Sequence, residues 1–534
     1  MARTAYYNGI VYTADDNIKT ARAFVVEDGR FTFVGEETDL PRCDTKVDLE
    51  GKCVIPGLID SHCHMLAGVT QSVTSMIFVD ESTTPETLGK ELVSLMEEEE
   101  YGEDMVVAAM GIDLTIGTFS AENIDCEISD RPVIVFSNDG HGLLLNSFAM
   151  YELGINKDTK DPGPESYYAR DEEGNPTGLV IEIPAMRPCK AILPDPTVKE
   201  YMENLPRIAA GYASYGYTTV FEAMSCYDRQ TDVLKALSRL DKEGGLNIRV
   251  STSFGYNGEE FIKAADVVDL MKKNREEFTT DNVKYNTLKM ITDGTIEERT
   301  ALLYEPYSDD GETTGSEPLS LEEMKTAASL AGAAGFDIHI HAIGDKAVGR
   351  AIEALCGAGK ISGTKTIAHN QVYTEEDIKR FKEAGDIFFQ TTPHWMTADD
   401  HTRACLGPDR FLKQFPVGTM ERAGVCVSFG SDSSLEPDTA NAFAGMYYAC
   451  TRGDEALLGE EGLPPKGEAI SRMESLYAYT INGAKQLSLS QETGSISPGK
   501  SADFLILDRD IINCPIEELT GTQVINTFFR GNKL

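Results

Sequence analysis

The stretch Val54-Ile55-Pro56-Gly57-Leu58-Ile59-Asp60-Ser61-His62-Cys63-His64 decides how this chain is read. The apolar run 54–59 reads as a buried strand, and it leads directly into His62-Cys63-His64. Alternation along an extended backbone puts His62 and His64 on one face and Cys63 on the other, so two imidazoles can share one ion. A His-x-His alone is a weak signal, since packing histidines are common. The rest of the chain has to carry the case.

Seven further apolar runs follow, with helical patterns between them: 218–222, 248–253, 287–291, 337–340, 366–368, 387–390 and 425–429. Alternating strand and helix patterns predict a parallel sheet with crossover helices. Eight such units predict an α/β fold closed as a (β/α)8 TIM-like barrel. Chemistry-bearing residues fall within or just after these runs. Lys289 lies in the fourth, His341 follows the fifth, His369 follows the sixth, and Asp432 follows the eighth. Side chains at the C-terminal ends of different barrel strands converge on one mouth. Nitrogen and oxygen donors of this mix suit zinc, with manganese, iron or cobalt as alternatives.

Roughly 160 residues separate the first and second runs, far more than one βα unit needs. That spacing predicts an inserted subdomain at about 79–210, with strand-like pieces at 106–110 and 133–136. Insertions after a barrel strand sit at the substrate-binding face, so a lid or specificity role is expected. The chain ends are β-rich. Short strand patterns at 5–13, 23–27 and 31–34 carry Asn8-Gly9 and Asp28-Gly29 turns, and 503–507 and 524–529 read similarly. These ends predict a composite β-sandwich from 1–54 plus 485–534, with the barrel at 55–484.

With 48 basic against 87 acidic residues, the 534-residue chain has a formal net charge of −39. Such a surface repels nucleic acid and anionic membrane. Glu97, Glu98, Glu99 and Glu100 read as a solvated helix face. The eleven cysteines include no Cys-x-x-Cys pair, which predicts reduced thiols and a cytoplasmic location. No stretch of 18 apolar residues occurs. No Gly-x-Gly-x-x-Gly follows an early strand, and no Gly-x-Ser-x-Gly elbow is present.

The order His-x-His, Lys, His, His, Asp on strands one, four, five, six and eight resembles that of the amidohydrolase superfamily. Local wording narrows it. The segments Pro56-Gly57-Leu58-Ile59-Asp60-Ser61-His62, Leu288-Lys289-Met290-Ile291-Thr292-Asp293-Gly294, His341-Ala342-Ile343-Gly344-Asp345 and Gly430-Ser431-Asp432 are similar to amidohydrolase family 3. That is the YtcJ-like group, which includes N-substituted formamide deformylase. Gly494-Ser495-Ile496-Ser497-Pro498-Gly499-Lys500-Ser501-Ala502-Asp503 is similar to the group's return into its β-sandwich.

The resemblance implies one or two divalent metal ions, zinc first among them. His62 and His64 with Asp432 would hold the more buried ion, and His341 and His369 a second. Lys289 would bridge them as an N-carboxylated lysine, since a carbamate is an anionic oxygen donor and an ammonium is not. On the residues alone, the alternative for Lys289 is a buried ion pair with Asp293 or Glu222. Asp432 reads as a helix cap, His339 as a packing or outer residue, and Cys63 as core. The implied chemistry is hydrolysis of a non-peptide C–N bond by metal-activated water. Asp432 would take the water's proton and return it to the leaving nitrogen, and a metal or an imidazole would stabilise the oxyanion. His141 and His394 are further candidates to touch substrate; Trp395 reads as pocket lining or packing, and His401 as structural.

One segment departs from the family's pattern. After Asp293-Gly294 the group continues with small residues, whereas this chain has Thr295-Ile296-Glu297-Glu298-Arg299. The expected partner is a small-molecule substrate. A homodimer is compatible with the scaffold, although nothing in the sequence marks an interface. An isomerase or esterase on the same barrel, or a metal-binding non-catalytic relative, are the alternatives, because fold does not dictate function.

Overall fold

The computed structural model describes the chain except for residues 1–2, 81, 99–100, 102–105, 139, 164–165, 226–229, 259–261, 434–439 and 454–461. Eight parallel strands form one sheet in chain order. They are Leu58–Cys63, Tyr217–Ser225, Arg249–Tyr256, Val283–Ile291, Asp337–Ala342, Lys365–His369, Ile387–Thr391 and Val427–Phe429. The first and last meet, with Asp432 N donating to His62 O at 2.8 Å and Ser61 Oγ to Phe429 O at 2.7 Å. The sheet therefore closes into a barrel. Outer helices begin at well-formed caps. Thr197, Ser320 and Thr374 each make a reciprocal capping box, which satisfies amides that the first turn leaves unpaired.

The first barrel strand begins later than the apolar run 54–59 suggests. Cys53–Pro56 pairs antiparallel with Phe504–Leu507 in the terminal sandwich, and only Leu58–Cys63 joins the barrel. Gly57 is the hinge between them: a Cβ there would collide with the side chain of Thr218. Hydrophobicity runs unbroken across the two strands because both are buried on both faces, so periodicity cannot separate them.

Both chain ends build the sandwich. One sheet has Arg30–Gly35, Ala23–Glu27, Thr4–Tyr7 and Thr45–Asp48; the other includes Ile10–Tyr12, Cys53–Pro56, Phe504–Leu507 and Val524–Phe529. Its core is aromatic. Phe504 and Phe528 stack with centroids 4.2 Å apart, and Phe24 packs edge-on to Phe504 at 4.9 Å. The inserted sheet runs from Ile77–Phe78 through Pro176–Ile181. Helix Val198–Ser214, which the spacing assigned to the insertion, instead contributes Leu205, Ile208 and Tyr212 to the core that contains the barrel. Helix Leu88–Glu98 holds the first half of the acidic run, while Glu99 and Glu100 lie outside the described residues. Among the described residues no helix is long and apolar enough to cross a membrane.

Arg249 ties the barrel to the sandwich. Its buried guanidinium donates to Asp503 Oδ2 at 2.6 Å and to Ser501 Oγ at 2.9 Å, and it lies over the Phe529 ring at 5.0 Å. Truncating one partner of a buried pair leaves the other charge uncompensated. Arg249→Met is expected to cost about 3 kcal/mol, read by urea or thermal unfolding; an unchanged midpoint would remove Arg249 from the account of stability.

Candidate metal centre at the barrel mouth

His62 is buried in the first barrel strand, and its Nδ1 lies 3.2 Å from Gln390 Oε1 and 3.0 Å from His339 Nε2. Its Nε2 lies 3.4 Å from Lys289 Nζ and 3.4 Å from Asp432 Oδ1. His64 follows the strand end, with Nε2 2.9 Å from the same Asp432 oxygen. One donor atom from each of His62, His64 and Asp432 lies within 4.8 Å of the others. His341 ends its ring at Gly294 O (3.3 Å) and Asp293 Oδ1 (3.4 Å). The His369 ring sits 4.4 Å from that of His341 and 4.8 Å from that of His62, centroid to centroid. The structure thus brings together His62, His64, Lys289, His369 and Asp432, with His341 alongside.

Burial, first of all, pushes His62, His339, His341 and His369 well below the ordinary histidine range, so their imidazoles are neutral at pH 7. Neutral imidazole is the form that binds a cation. His64 moves the other way: burial alone would lower it, but hydrogen bonding to the Asp432 carboxylate and its charge outweigh that and raise it. Burial pushes Asp60, Glu222 and Asp293 up to about 7. It brings Lys289 down to about 8, against the pull of Asp432 and Glu222. Among the described residues, neither nitrogen of buried His369 has a hydrogen-bond partner. Orphaned imidazole nitrogens beside desolvated carboxylates mark a cavity short of positive charge, and this donor set fits a divalent cation.

Three acids hold the scaffold. Asp60 accepts from His62 N (3.2 Å), Ser431 N (3.0 Å) and Ser431 Oγ (2.6 Å), which locks the first strand to the segment carrying Asp432. Asp293 accepts from Leu302 N (3.0 Å) and Gly344 N (2.8 Å), joining the ends of strands four and five. Its oxygens face these amides, Ile343 N and the His341 ring, and the carboxylates that act on Lys289 are Asp432 and Glu222. Glu222 accepts from Leu66 N at 2.8 Å. Asp60, Gln390 and Glu182 had not been singled out. The available signal for Asp60 was its position two residues before His62; Glu182 has no motif around it.

Both His369 (φ 72°) and Asp432 (φ 53°) adopt left-handed backbone conformations at strand ends, where non-glycine residues are strained. His141 reaches over from the insertion. Its Nδ1 lies 3.2 Å from Glu182 Oε2, Glu182 N donates to His141 O at 2.8 Å, and its ring is 6.1 Å from that of His341.

His394 turns away from the cluster. Its Nε2 lies 3.1 Å from Asn441 O at the start of helix Ala442–Thr451, and burial brings it down to about 4. The neighbouring Trp395 stacks on His369 instead, with centroids 5.3 Å apart and planes 13° apart. Both sit in the short 3-10 turn Pro393–Trp395, which points adjacent side chains in different directions. The departing segment also finds its use. Glu297 O lies 3.1 Å from His401 Nε2, and Glu297 Oε1 accepts from Thr402 Oγ1 at 3.0 Å. Arg299 pairs with Asp309 at 2.6 Å. The acidic loop after strand four is thus clamped to helix Asp400–Phe411 beyond strand seven.

The amidohydrolase family profile matches residues 45–533. Exoenzymes regulatory protein AepA of Pectobacterium carotovorum subsp. carotovorum is 30% identical over 444 residues, covering 80% of this chain and 93% of that one. N-substituted formamide deformylase of Arthrobacter pascens is 26% identical over 550 aligned positions, covering 98% and 96%. The crystal structure of an uncharacterized metal-dependent hydrolase from Pyrococcus horikoshii shares the fold, with a TM-score of 0.74 at 24% identity over 97% of this chain and 99% of that one. The chain belongs to the amidohydrolase family, in the family 3 group.

Proposed function

We propose that this protein is a metal-dependent hydrolase of a small molecule, cleaving a non-peptide amide, formamide or cyclic-amide C–N bond. The observation that carries the reading is the cluster of His62, His64 and Asp432 donor atoms within 4.8 Å, beside the orphaned imidazole of His369. His62, His64 and Asp432 would hold one ion, zinc in the first instance, and His341 and His369 would hold a second, with Lys289, N-carboxylated, supplying an anionic oxygen donor beside them. A divalent ion bound there lowers the pKa of water toward neutrality and polarises a carbonyl.

The chain's own groups supply the rest. Asp432 takes the proton from the attacking water at a carboxylate oxygen and later delivers it to the leaving nitrogen. Its strained backbone keeps the carboxylate close to His62, His64 and His369, 2.9 to 3.5 Å away. His141, anchored at Nδ1 by Glu182, orients the substrate carbonyl from the insertion side. His394 is assigned no proton-transfer role, because its ring engages Asn441.

Metal content by plasma mass spectrometry, on wild type and His62→Ala purified without chelator, tests this. One to two equivalents in wild type are expected, falling by at least about half in the variant, together with turnover of at least one compound in a panel of amides and N-substituted formamides. The formamides enter because one relative is named for them. Metal without turnover would favour the non-catalytic reading, which the regulatory name of AepA keeps in view. No metal, and no activity after adding zinc, manganese or cobalt, would sink the proposal.

A further inference from the structure

The site histidines differ in what holds their rings. His62 Nδ1 faces Gln390 and His339, His341 Nε2 faces Gly294 O, and His141 Nδ1 faces Glu182. His369 is the exception. Among the described residues neither of its nitrogens has a hydrogen-bond partner, and Asp432 Oδ2 stands 3.5 Å from Nδ1. Its backbone and that of Asn370 are both left-handed, at φ 72° and 50°, so the ring leaves the chain from an uncommon geometry. Among the described residues its plane is matched by one neighbour, the Trp395 indole, stacked at 5.3 Å and 13°.

A ligating imidazole is ordinarily oriented by a hydrogen bond to its second nitrogen. A near-parallel aromatic face restricts the same ring rotation and leaves both nitrogens available to act as donors. We propose that Trp395 is a positioning residue for His369, fixing the imidazole plane by stacking where His62 and His341 use a hydrogen bond. The proposal rests on the metal-centre reading above. Trp395 is also the single tryptophan of the chain and is 37% exposed, so its replacement should leave the core intact and its fluorescence reports on this one contact.

The test uses full-length protein stripped of metal and titrated with Co2+. Bound cobalt is measured by equilibrium dialysis, and indole emission is followed in wild type. Cobalt binding should quench the wild-type emission. Trp395→Leu and Trp395→Met, which lack a ring to stack, should weaken cobalt affinity by about tenfold or more and alter the visible cobalt absorption, whose intensity follows ligand geometry. Trp395→Phe retains a stacking face and should stay within about threefold of wild type. Circular dichroism checks that each variant is folded, and either non-aromatic variant suffices. Wild-type affinity in a folded non-aromatic variant would overturn the positioning role while leaving the metal centre standing. Equal weakening in the Phe variant would overturn stacking as the cause. Cobalt bound without any change in emission would also overturn the proposal, and a wild type that binds no cobalt would overturn both this proposal and the metal-centre reading.

Discussion

Asp432→Asn is expected to lower turnover of the best substrate in the amide panel by about 10^3- to 10^4-fold while leaving most of the bound metal in place. The substitution is conservative in shape. Asn tolerates the left-handed conformation that Asp432 adopts, so the segment that closes the barrel through Asp432 N and His62 O is retained. The amide oxygen still offers a donor to a cation, but it can no longer accept the proton of the attacking water. Metal analysis and initial rates on the same preparation separate the two effects. A variant within tenfold of wild type would show that the proton goes elsewhere. Loss of metal along with activity would show that Asp432 acts as a ligand above all.

Gly430→Ala is expected to strike the fold and the site together. A Cβ at Gly430 would stand 2.5 Å from His62 N and 2.7 Å from His62 O, and backbone atoms cannot swing aside as a flexible side chain can. His62 O is the acceptor of the Asp432 amide, so relieving the clash pulls apart the first and eighth strands where the barrel closes. It also moves His62 relative to Asp432. Overpacking of a tight core typically costs about 1–3 kcal/mol, and this contact belongs at the upper end, near 3 kcal/mol. Thermal unfolding and metal content should fall in parallel. A variant with wild-type melting temperature and full metal loading would show that the two strands have slack that the contact distances deny.

Much of the site was legible in one dimension. His62, His64, Lys289, His341, His369 and Asp432 stand within or just after apolar runs and in segments that resemble the family's, and the structure gathers them at one end of the barrel. Strand periodicity determines which side chains share a face, and a parallel barrel sends the C-terminal end of every strand to the same mouth. The pairing of the two chain ends was likewise readable from β-rich composition and turn residues.

What lay beyond reach were features set by packing between distant segments. Whether 53–56 belongs with 58–63 was hidden because both are buried throughout and the apolar run continues through Leu58 and Ile59, and only Phe504–Leu507 alongside Cys53–Pro56 divides them. Glu182 becomes a partner of His141 because the inserted sheet sets Gly142–Leu145 beside Pro176–Ile181, not because of its neighbours in sequence. His394 and Trp395 are adjacent and equally plausible on paper. The direction of a single 3-10 turn sends one to Asn441 and the other onto His369. The amino-acid sequence by itself determined the barrel, its sandwich and which side chains gather at the mouth, because periodicity and residue type are local properties. The tertiary structure alone decided which groups orient those donors, because orientation comes from contacts between residues far apart in the chain.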